Sequence, residues 1–319
     1  MAALTRTDIE SLIEEEYNHV LLNRATESST ALQAFRTVQM GAKVQNLPVL
    51  SALPTAKWVG TAAGQRKKPT SEFSFDNKVL TAEEVAVIVV LNEEDVEDAT
   101  EDLLDYAARL GGQAIGRKLD EAVFFGIDKP ASWTSKDLFA AATEGGNVFQ
   151  VGAGDSDLVG SIFKAASAVD ASGANPDVFL ARGGFKYQLA NLRDGQGAPI
   201  FLPSLSQAPG NVDNVAGLDA YWNKNGAWDS SKALGMVVDP SLAMVGVRSD
   251  ISVKFLDQAT VGNVNLAEND QVALRFRARY GFVLADVMGN DGKKAAPVAA
   301  IAPAAEAGAE AGAEPGAAA

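Results

Sequence analysis

The chain has 319 residues, a hydrophobic content of 47% and a formal net charge of −14. This length allows two lobes with appended segments, and this composition supports a sizeable core. The acidic charge disfavours sequence-independent binding to nucleic acid phosphates or to anionic membranes. The absence of cysteine excludes disulfides and thiolate chemistry, and a single histidine, His19, argues against a Ser-His-Asp relay.

No targeting or membrane-spanning segment is evident. Residues 1–12 are polar and acidic and lack the apolar core of a signal peptide. The longest apolar run, residues 85–91, is far shorter than the ~20 residues that a membrane-spanning helix needs. These features predict a soluble intracellular protein.

An amphipathic helix is predicted near the N-terminus. Residues 7–10 have capping-box spacing, and Ile9, Ile13, Tyr17 and Leu21 recur every four residues. The apolar stripe of this helix could dock on its own body or on a neighbouring subunit. We expect the second, because an extended arm follows.

Residues 57–126 are the most informative stretch of the sequence. Two extended runs with a polar, basic tip between them, at residues 66–69, make a long arm, in which residues 71–75 and 81–91 are predicted to be extended. A hairpin with ~20 residues per strand would extend roughly 60 Å. Because an isolated two-stranded hairpin is marginally stable in water, we expect this arm to lie on partner surface.

A long helix is predicted from Glu93 to the turn at residues 128–130. Its acidic first turn, residues 93–98, suits the helix dipole. Small and apolar residues then recur at alternating spacings of three and four, which predicts a continuous buried stripe: Leu104, Ala108, Gly111, Ile115, Leu119, Ala122 and Gly126.

The remainder predicts an α/β lobe, closing strands and a tail. Helices are expected at residues 158–169 and 184–192, and strands at 178–181, 235–238, 243–247, 251–255 and 271–286. In the last strand Arg275, Arg277 and Arg279 alternate with apolar residues, which predicts a basic outer face. Residues 293–319 are almost entirely Ala, Gly, Glu and Pro, so they are predicted to be a disordered tail.

Motifs for catalysis or cofactor binding are missing. The sequence contains no GxxxxGK[ST] phosphate loop and no GxGxxG after a strand. The helix dipole alone explains the acidic cluster at residues 93–98. The basic run at 66–68 is expected to meet an acidic patch on another subunit, with that cluster as a candidate. We therefore predict a protein that is not an enzyme and needs no cofactor or metal.

The order of these elements resembles the major capsid proteins of tailed bacteriophages, the Hong Kong 97-type fold. Trp58 and the basic, proline-containing residues 67–72 are similar to the tip and return of the family's extended loop. Residues 81–98 and 119–126 are similar to the entry and end of its spine helix. Residues 187–199, 247–251 and 278–282 are similar to its axial helix-and-turn and its closing strands. The resemblance covers roughly residues 35 to 288.

The resemblance implies an α+β shell subunit in which an arm and a loop reach over neighbouring subunits. The implied division is an N-terminal arm (1–35), an extended loop (36–91), a peripheral domain with a long spine helix (92–145 and 250–285), an axial domain (146–249 with 286–292) and the tail (293–319). Such subunits form the pentamers and hexamers of an icosahedral head around double-stranded DNA. Assembly would take place in the host bacterial cytoplasm and yield a virion capsid.

The implied partners are other copies of the chain, with a separate scaffolding protein, a portal and possibly a decoration protein. Residues expected at contacts between subunits lie in the loop, at the start of the long helix and in the axial turn: Trp58, Arg66, Lys67, Lys68, Glu72, Glu93, Glu94, Asp95, Arg193 and Asp194. The alternative is a nanocompartment shell of the same fold that loads a cargo enzyme. An unrelated enzyme and a phage decoration or tail protein fit less well, because neither requires the long arm and helix.

The family's type member also crosslinks its subunits through a lysine and an asparagine. By order of elements these positions correspond to Lys68 and Asp270, and the assisting glutamate corresponds to Arg277. Because the acceptor is an aspartate and the glutamate is replaced, we predict no self-crosslinking. A boiled denaturing gel of assembled particles should show monomer alone, and a ladder of covalent multimers would contradict this prediction.

Overall fold

Two sheets on either side of one long helix form the body of the protein. The computed structural model describes residues 29–52, 74–98, 103–152, 157–193, 213–288 and 294–304. A short helix, α1 (Thr30–Ala34), precedes strand β1 (Arg36–Gln39). The antiparallel strands β2 (Val44–Ala52) and β3 (Ser74–Thr81) form a two-stranded sheet.

The first large sheet has four strands in the order β1-β10-β13-β4. The strands β4 (Glu83–Asn92), β10 (Ala243–Leu256) and β13 (Gln271–Leu284) are antiparallel to their neighbours, whereas β1 runs parallel to β10. The helix α2 (Glu93–Asp98) follows β4 directly. Helix α3 (Leu103–Phe125) then packs across the inner face of this sheet.

The second large sheet has six strands in the order β5-β16-β9-β6-β8-β7. Its strands are β5 (Val148–Gln150), β6 (Val178–Arg182), β7 (Asp213–Val215), β8 (Leu218–Asn223), β9 (Gly235–Val238) and β16 (Val298–Ala302). Helices α4 (Leu138–Glu144), α5 (Leu158–Ala171) and α6 (Phe185–Ala190) belong to this lobe. Asp137 and Asp157 cap α4 and α5 by accepting hydrogen bonds from Ala140 N and Gly160 N.

Small elements complete the chain. Strands β11 (Thr260–Val261) and β12 (Val264–Asn265) form a short hairpin before a 3₁₀ turn at Leu266–Glu268. Strands β14 (Val287–Met288) and β15 (Lys294–Ala295) pair after β13. Among the described helices, none is long and apolar enough to cross a membrane.

The predicted stripe of the long helix is confirmed. Ala108, Ile115 and Leu119 are at most 1% exposed, and they join one core with residues of both large sheets. At Gly111 an added Cβ would lie 2.6 Å from the ring of Phe276 in β13, so the missing side chain lets helix and sheet approach closely. Residues 93–98, which were predicted to be the start of this long helix, form α2. Residues 99–102, between α2 and α3, lie outside the described part.

The alternation predicted for the last long strand is also confirmed. Phe276, Ala278 and Phe282 of β13 are buried in the core, while Arg275, Arg277 and Arg279 lie on the opposite face. The strands predicted at residues 243–247 and 251–255 are one strand, β10, whose pairing with β13 shifts register between Val247 and Ser252. Two register shifts let a 14-residue strand bend without ending.

The predicted boundaries of the extended loop were wrong. Residues 83–92 are not the return strand of the hairpin, because β4 pairs with β13 along its whole length. Its alternation, with Val85, Val87 and Val89 packed on the core, is that of an edge strand with one buried face. The hairpin strands are β2 and β3, and β1 also belongs to the four-stranded sheet. The predicted axial segment, 146–249, likewise includes the start of β10, which lies in the four-stranded sheet.

The prediction of a disordered tail from residue 293 was wrong for residues 294–304. Strand β16 lies between β5 and β9, and Val298, Ala299, Ala300 and Ile301 are 0% exposed. Small apolar residues suit this place, because α4 and α5 cover its two faces closely. Composition alone misled the prediction, since long-range pairing supplies the partners that the local sequence lacks.

We predict that Ile301→Ala destabilises the unassembled subunit by about 2–5 kcal/mol, because it leaves a cavity in a closed core. The free energy of unfolding in denaturant measures this loss. The control is Val264→Ala in β12, where the side chain is 41% exposed and the expected change is below about 1 kcal/mol. Equal losses in the two variants would contradict the placement of β16.

Candidate functional site

A buried carboxylate holds the start of the described chain against both lobes. Asp120, on α3, is 0% exposed. Its Oδ1 accepts hydrogen bonds from Ser29 Oγ at 2.7 Å and from Ala31 N at 3.0 Å. Its Oδ2 accepts from Thr30 N at 2.9 Å, Asn223 Nδ2 at 3.0 Å and Asn225 Nδ2 at 2.7 Å. We call this group of residues the Asp120 anchor.

The donors of the Asp120 anchor come from two separate parts of the sequence, residues 29–31 and residues 223–225. Ser29 is the N-cap of α1 and also accepts a hydrogen bond from Leu32 N. Asn223 ends β8 in the six-stranded sheet, and its Nδ2 also donates to Thr30 Oγ1 at 3.1 Å. The anchor therefore fixes the point at which the preceding residues join the body.

Burial and hydrogen bonding act on this carboxyl in opposite directions. Burial raises the pKa of Asp120, and the donors from Ala31, Ser29, Thr30 and Asn225 lower it; burial outweighs them, so the pKa rises from 3.8 to about 6. Asp120 was not among the residues predicted from the sequence. Asp120 lies four positions from both Gly116 and Phe124, so the three residues share one face of the helix. The sequence signal was therefore a charged residue on a face that is otherwise apolar, and the structure shows that this face is buried.

A pair of glycines fixes where the β2–β3 hairpin leaves the body. Gly246 of β10 lies directly opposite Gly281 of β13 on the outer face of the four-stranded sheet. An added Cβ would lie 2.7 Å from Leu80 Cδ2 at Gly246, and 2.7 Å from Thr81 O at Gly281. The end of β3 therefore crosses the sheet in a trough that side chains would fill. Leu80 is 0% exposed there.

The rest of this outer face is basic and partly apolar. Arg279 pairs with Glu84 at 3.2 Å. Arg275 lies between Ile88 of β4 and Lys254 of β10, and its Nε is buried with no hydrogen-bond partner among the described residues. Ile88 remains 42% exposed. The predicted basic face is confirmed, and it combines charge with exposed apolar surface.

The acidic residues predicted at contacts lie together on the surface. Glu93, Glu94 and Asp95 are exposed on α2, at the end of β4. Asp95 Oδ2 accepts a hydrogen bond from Asn92 Nδ2, and Glu93 N donates to the carbonyl of Asp270 at 2.9 Å. Asp270 has a φ of 48°, and this left-handed turn brings the chain into β13.

Of the other predicted contact residues, the structure describes Arg193 alone. Arg193 lies just after α6, and its guanidinium donates to the carbonyls of Ala190 and Leu192, at 2.9 and 3.2 Å. The remaining candidates, Trp58, Arg66, Lys67, Lys68, Glu72 and Asp194, lie outside the described residues, as does the N-terminal helix. The crosslinking pair therefore stays a prediction. No group of three or more metal-ligating side chains occurs in the described ranges.

Comparison with known proteins identifies the family. The model of the phage capsid family matches residues 11–289. A structure from Mycobacterium phage Adephagia is 43% identical, with a TM-score of 0.79, over 95% of this chain and 99% of that chain. A structure from Mycobacterium phage Bobi is 46% identical, with a TM-score of 0.78, over 95% of this chain and 100% of that chain.

A more distant likeness shows the fold alone. A structure titled "Capsid of empty GTA particle computed with C5 symmetry" is 15% identical, with a TM-score of 0.60, over 87% of this chain and 90% of that chain. No curated protein matches the sequence.

We predict that Asp120→Ala destabilises the subunit by about 3–5 kcal/mol, because five buried donors lose their acceptor. Hydrogen exchange at the amides of Thr30 and Ala31 should accelerate more than exchange in β13. The control is Glu121→Gln, which removes ion pairs to the exposed side chains of Arg117 and Lys118 and should cost less than about 1 kcal/mol. Unchanged exchange at residues 30 and 31 would contradict the anchor.

The raised pKa of Asp120 gives a second prediction. The folded chain holds this proton more tightly than the unfolded chain, so the contribution to stability is complete below pH 3.8 and is lost as pH rises through about 6. In Asp120→Asn this titration is absent. The stability of the wild type relative to that variant should fall by about 3 kcal/mol over this interval. Parallel curves of unfolding free energy against pH would contradict the shift.

The family match over most of the chain and the close phage structures agree with the resemblance found in the sequence: this chain belongs to the phage capsid family and is a structural subunit of a virion capsid shell.

Proposed function

We propose that this subunit assembles into the pentamers and hexamers of an icosahedral head that encloses double-stranded DNA. The observation that carries the proposal is a body with one shared core and a separate two-stranded sheet, β2–β3. Both large sheets share one core through α3, whereas β2 and β3 pair with each other and contact the body at their base through Leu47 and Leu80. A subunit of this form can keep its body constant while the hairpin adapts to its neighbours.

Within this proposal α3 is the spine helix, and the four-stranded sheet with α3 forms the peripheral domain. The six-stranded sheet forms the axial domain and surrounds the five-fold and six-fold axes. The exposed acidic residues of α2 and the basic outer face of the four-stranded sheet are surfaces of opposite charge on one chain. Opposite charges on identical subunits favour contact between copies.

The proposed partners beyond the chain itself are a scaffolding protein, a portal and a decoration protein, with assembly in the cytoplasm of the host bacterium. The acidic balance of the chain suits a lining that does not adhere to packed DNA. The relatives at 43% and 46% identity come from phages, which favours a viral head over a nanocompartment.

Electron microscopy of the chain expressed alone, together with the particle mass, tests the proposal. Closed icosahedral particles, or sheets and tubes of capsomers, are expected. If the chain stays a monomer, co-expression with the neighbouring phage genes decides whether scaffolding is required. A monomer that remains unassembled under both conditions contradicts the proposal.

A charge swap tests the predicted contact between subunits. Changing Glu93, Glu94 and Asp95 to lysine should reduce particle yield at least several-fold, because it would place like charges against the basic run at residues 66–68. Changing Arg66, Lys67 and Lys68 to glutamate in the same chain should restore particles. Circular dichroism of the unassembled subunit provides the control for folding. Loss of assembly without rescue would contradict this pairing.

A further inference from the structure

The Asp120 anchor contains the single Asn-Gly pair of the sequence, Asn225 and Gly226. The side chain of an asparagine that precedes glycine is open to attack by the next backbone nitrogen, because glycine has no Cβ to obstruct the approach. Such an attack closes a succinimide ring and releases ammonia. The structure places around this pair the groups that the reaction needs.

The attacking atom, the backbone nitrogen of Gly226, is accessible. Gly226 is exposed, and its N–H donates no hydrogen bond to the described residues. Its φ of 81° lies in the left-handed region, which glycine adopts without strain. A Cβ added at this position would lie no closer than 3.8 Å to the Arg117 side chain, so the space around the residue is open.

Hydrogen bonds hold both polar atoms of the Asn225 amide. Its Oδ1 accepts from Ala227 N at 3.0 Å, and negative charge develops on this oxygen when the carbonyl carbon is attacked. Its Nδ2 donates to Asp120 Oδ2 at 2.7 Å. Attack on the carbon frees the lone pair of Nδ2, so this nitrogen can then take a proton from the same carboxyl group. Ala227 N–H thus stabilises the oxyanion, and Asp120 serves the leaving group.

The surroundings of Asp120 let part of the molecules carry the required proton. Burial raises the pKa of Asp120 to about 6, so roughly a tenth of these carboxyl groups are protonated at pH 7. The donors that face it from α1 and β8 are neutral. On α3 itself, the neighbouring charges of Arg117 and Glu121 pair with each other at 2.9 Å.

We propose that Asn225 is a self-modification site that converts to aspartate and isoaspartate in the folded chain. Gly226 N bonds to Asn225 Cγ, the Cγ–Nδ2 bond breaks, and the amide nitrogen leaves as ammonia with a proton from Asp120. The proton lost by Gly226 N passes to water, from which the Asp120 carboxylate regains one. Water then adds to one carbonyl of the succinimide and opens the ring.

The products open the Asp120 anchor. A carboxylate at position 225 would face Asp120 Oδ2 across the 2.7 Å that the hydrogen bond now spans, and two carboxylates at that distance cannot both be ionised. Isoaspartate also adds a methylene to the backbone close to Trp228, which is buried in the core. Either product weakens the hold on residues 29–31, so the junction between the preceding segment and the body loosens as the protein ages.

Mass spectrometry of tryptic peptides from the full, unassembled chain tests the proposal. Cleavage after Lys224 and Lys232 gives the peptide 225–232, in which conversion replaces –NH₂ by –OH. The wild type is incubated at pH 6, folded and in parallel unfolded in urea. A folded backbone ordinarily slows this reaction, but here we expect conversion about tenfold faster in the folded chain, because only folding brings the acid and the oxyanion donor together. An equal or slower rate in the folded chain would overturn the proposal.

Two controls separate this chemistry from general lability of asparagine. Asn263 is exposed in the turn between β11 and β12 and precedes Val264, whose branched side chain obstructs attack, so it should stay unconverted. Asp120→Asn, which removes the proton source, should lower the rate in the folded chain to the rate in urea. A variant that keeps the fast rate would contradict the role of Asp120, and the wild-type comparison decides the proposal even if the variant does not fold.

Hydrogen exchange measures the consequence for the anchor. The amides of Thr30 and Ala31 should exchange at least severalfold faster in the converted fraction than in fresh protein, while exchange in β13 stays the same. Asn225→Asp, made directly, should reproduce this acceleration. Unchanged exchange at residues 30 and 31 in both samples would show that the modification does not open the anchor.

Discussion

The buried carboxylate of Asp120 is the constraint on which the arrangement of the two lobes depends. A carboxylate removed from water costs several kcal/mol unless hydrogen-bond donors replace the lost hydration. Here five donors replace part of that hydration, and they belong to α1 and its N-cap, to β8 and to the loop after β8. Displacement of any one of these parts would leave a charge or a donor unpaired, so the carboxylate specifies one arrangement of all three.

Steric fit at the hairpin base adds a second constraint of a different kind. The facing glycines Gly246 and Gly281 leave a trough, and Leu80 fills it together with Met40 and Val283. Hydrophobic packing at the base is joined by an ion pair at 2.8 Å between Lys78 of β3 and Asp286, which follows β13. Steric fit and charge together therefore fix the position of β2 and β3 relative to the four-stranded sheet.

The spacing of apolar residues predicted correctly those helices and strands whose pattern is complete within one element. The stripe of α3 and the alternation of β13 each follow from a single repeat, and both are confirmed. Pairing between distant strands could not be predicted, because β4 and β3 are both extended segments and only β13 determines which of them enters the large sheet. The Asp120 anchor escaped prediction for the same reason. Its donors lie about 90 or more residues away, and an isolated aspartate on a helix gives no sign of them.

The C-terminal residues show how composition and position can disagree. A window rich in alanine, glycine and proline predicts disorder, yet the apolar run from Val298 to Ile301 completes the middle of the six-stranded sheet. That strand also sets the direction in which the chain continues, toward the edge where β6 and β8 end. A single buried strand thus joins the last described residues to β5 and β9, two strands that lie far earlier in the sequence.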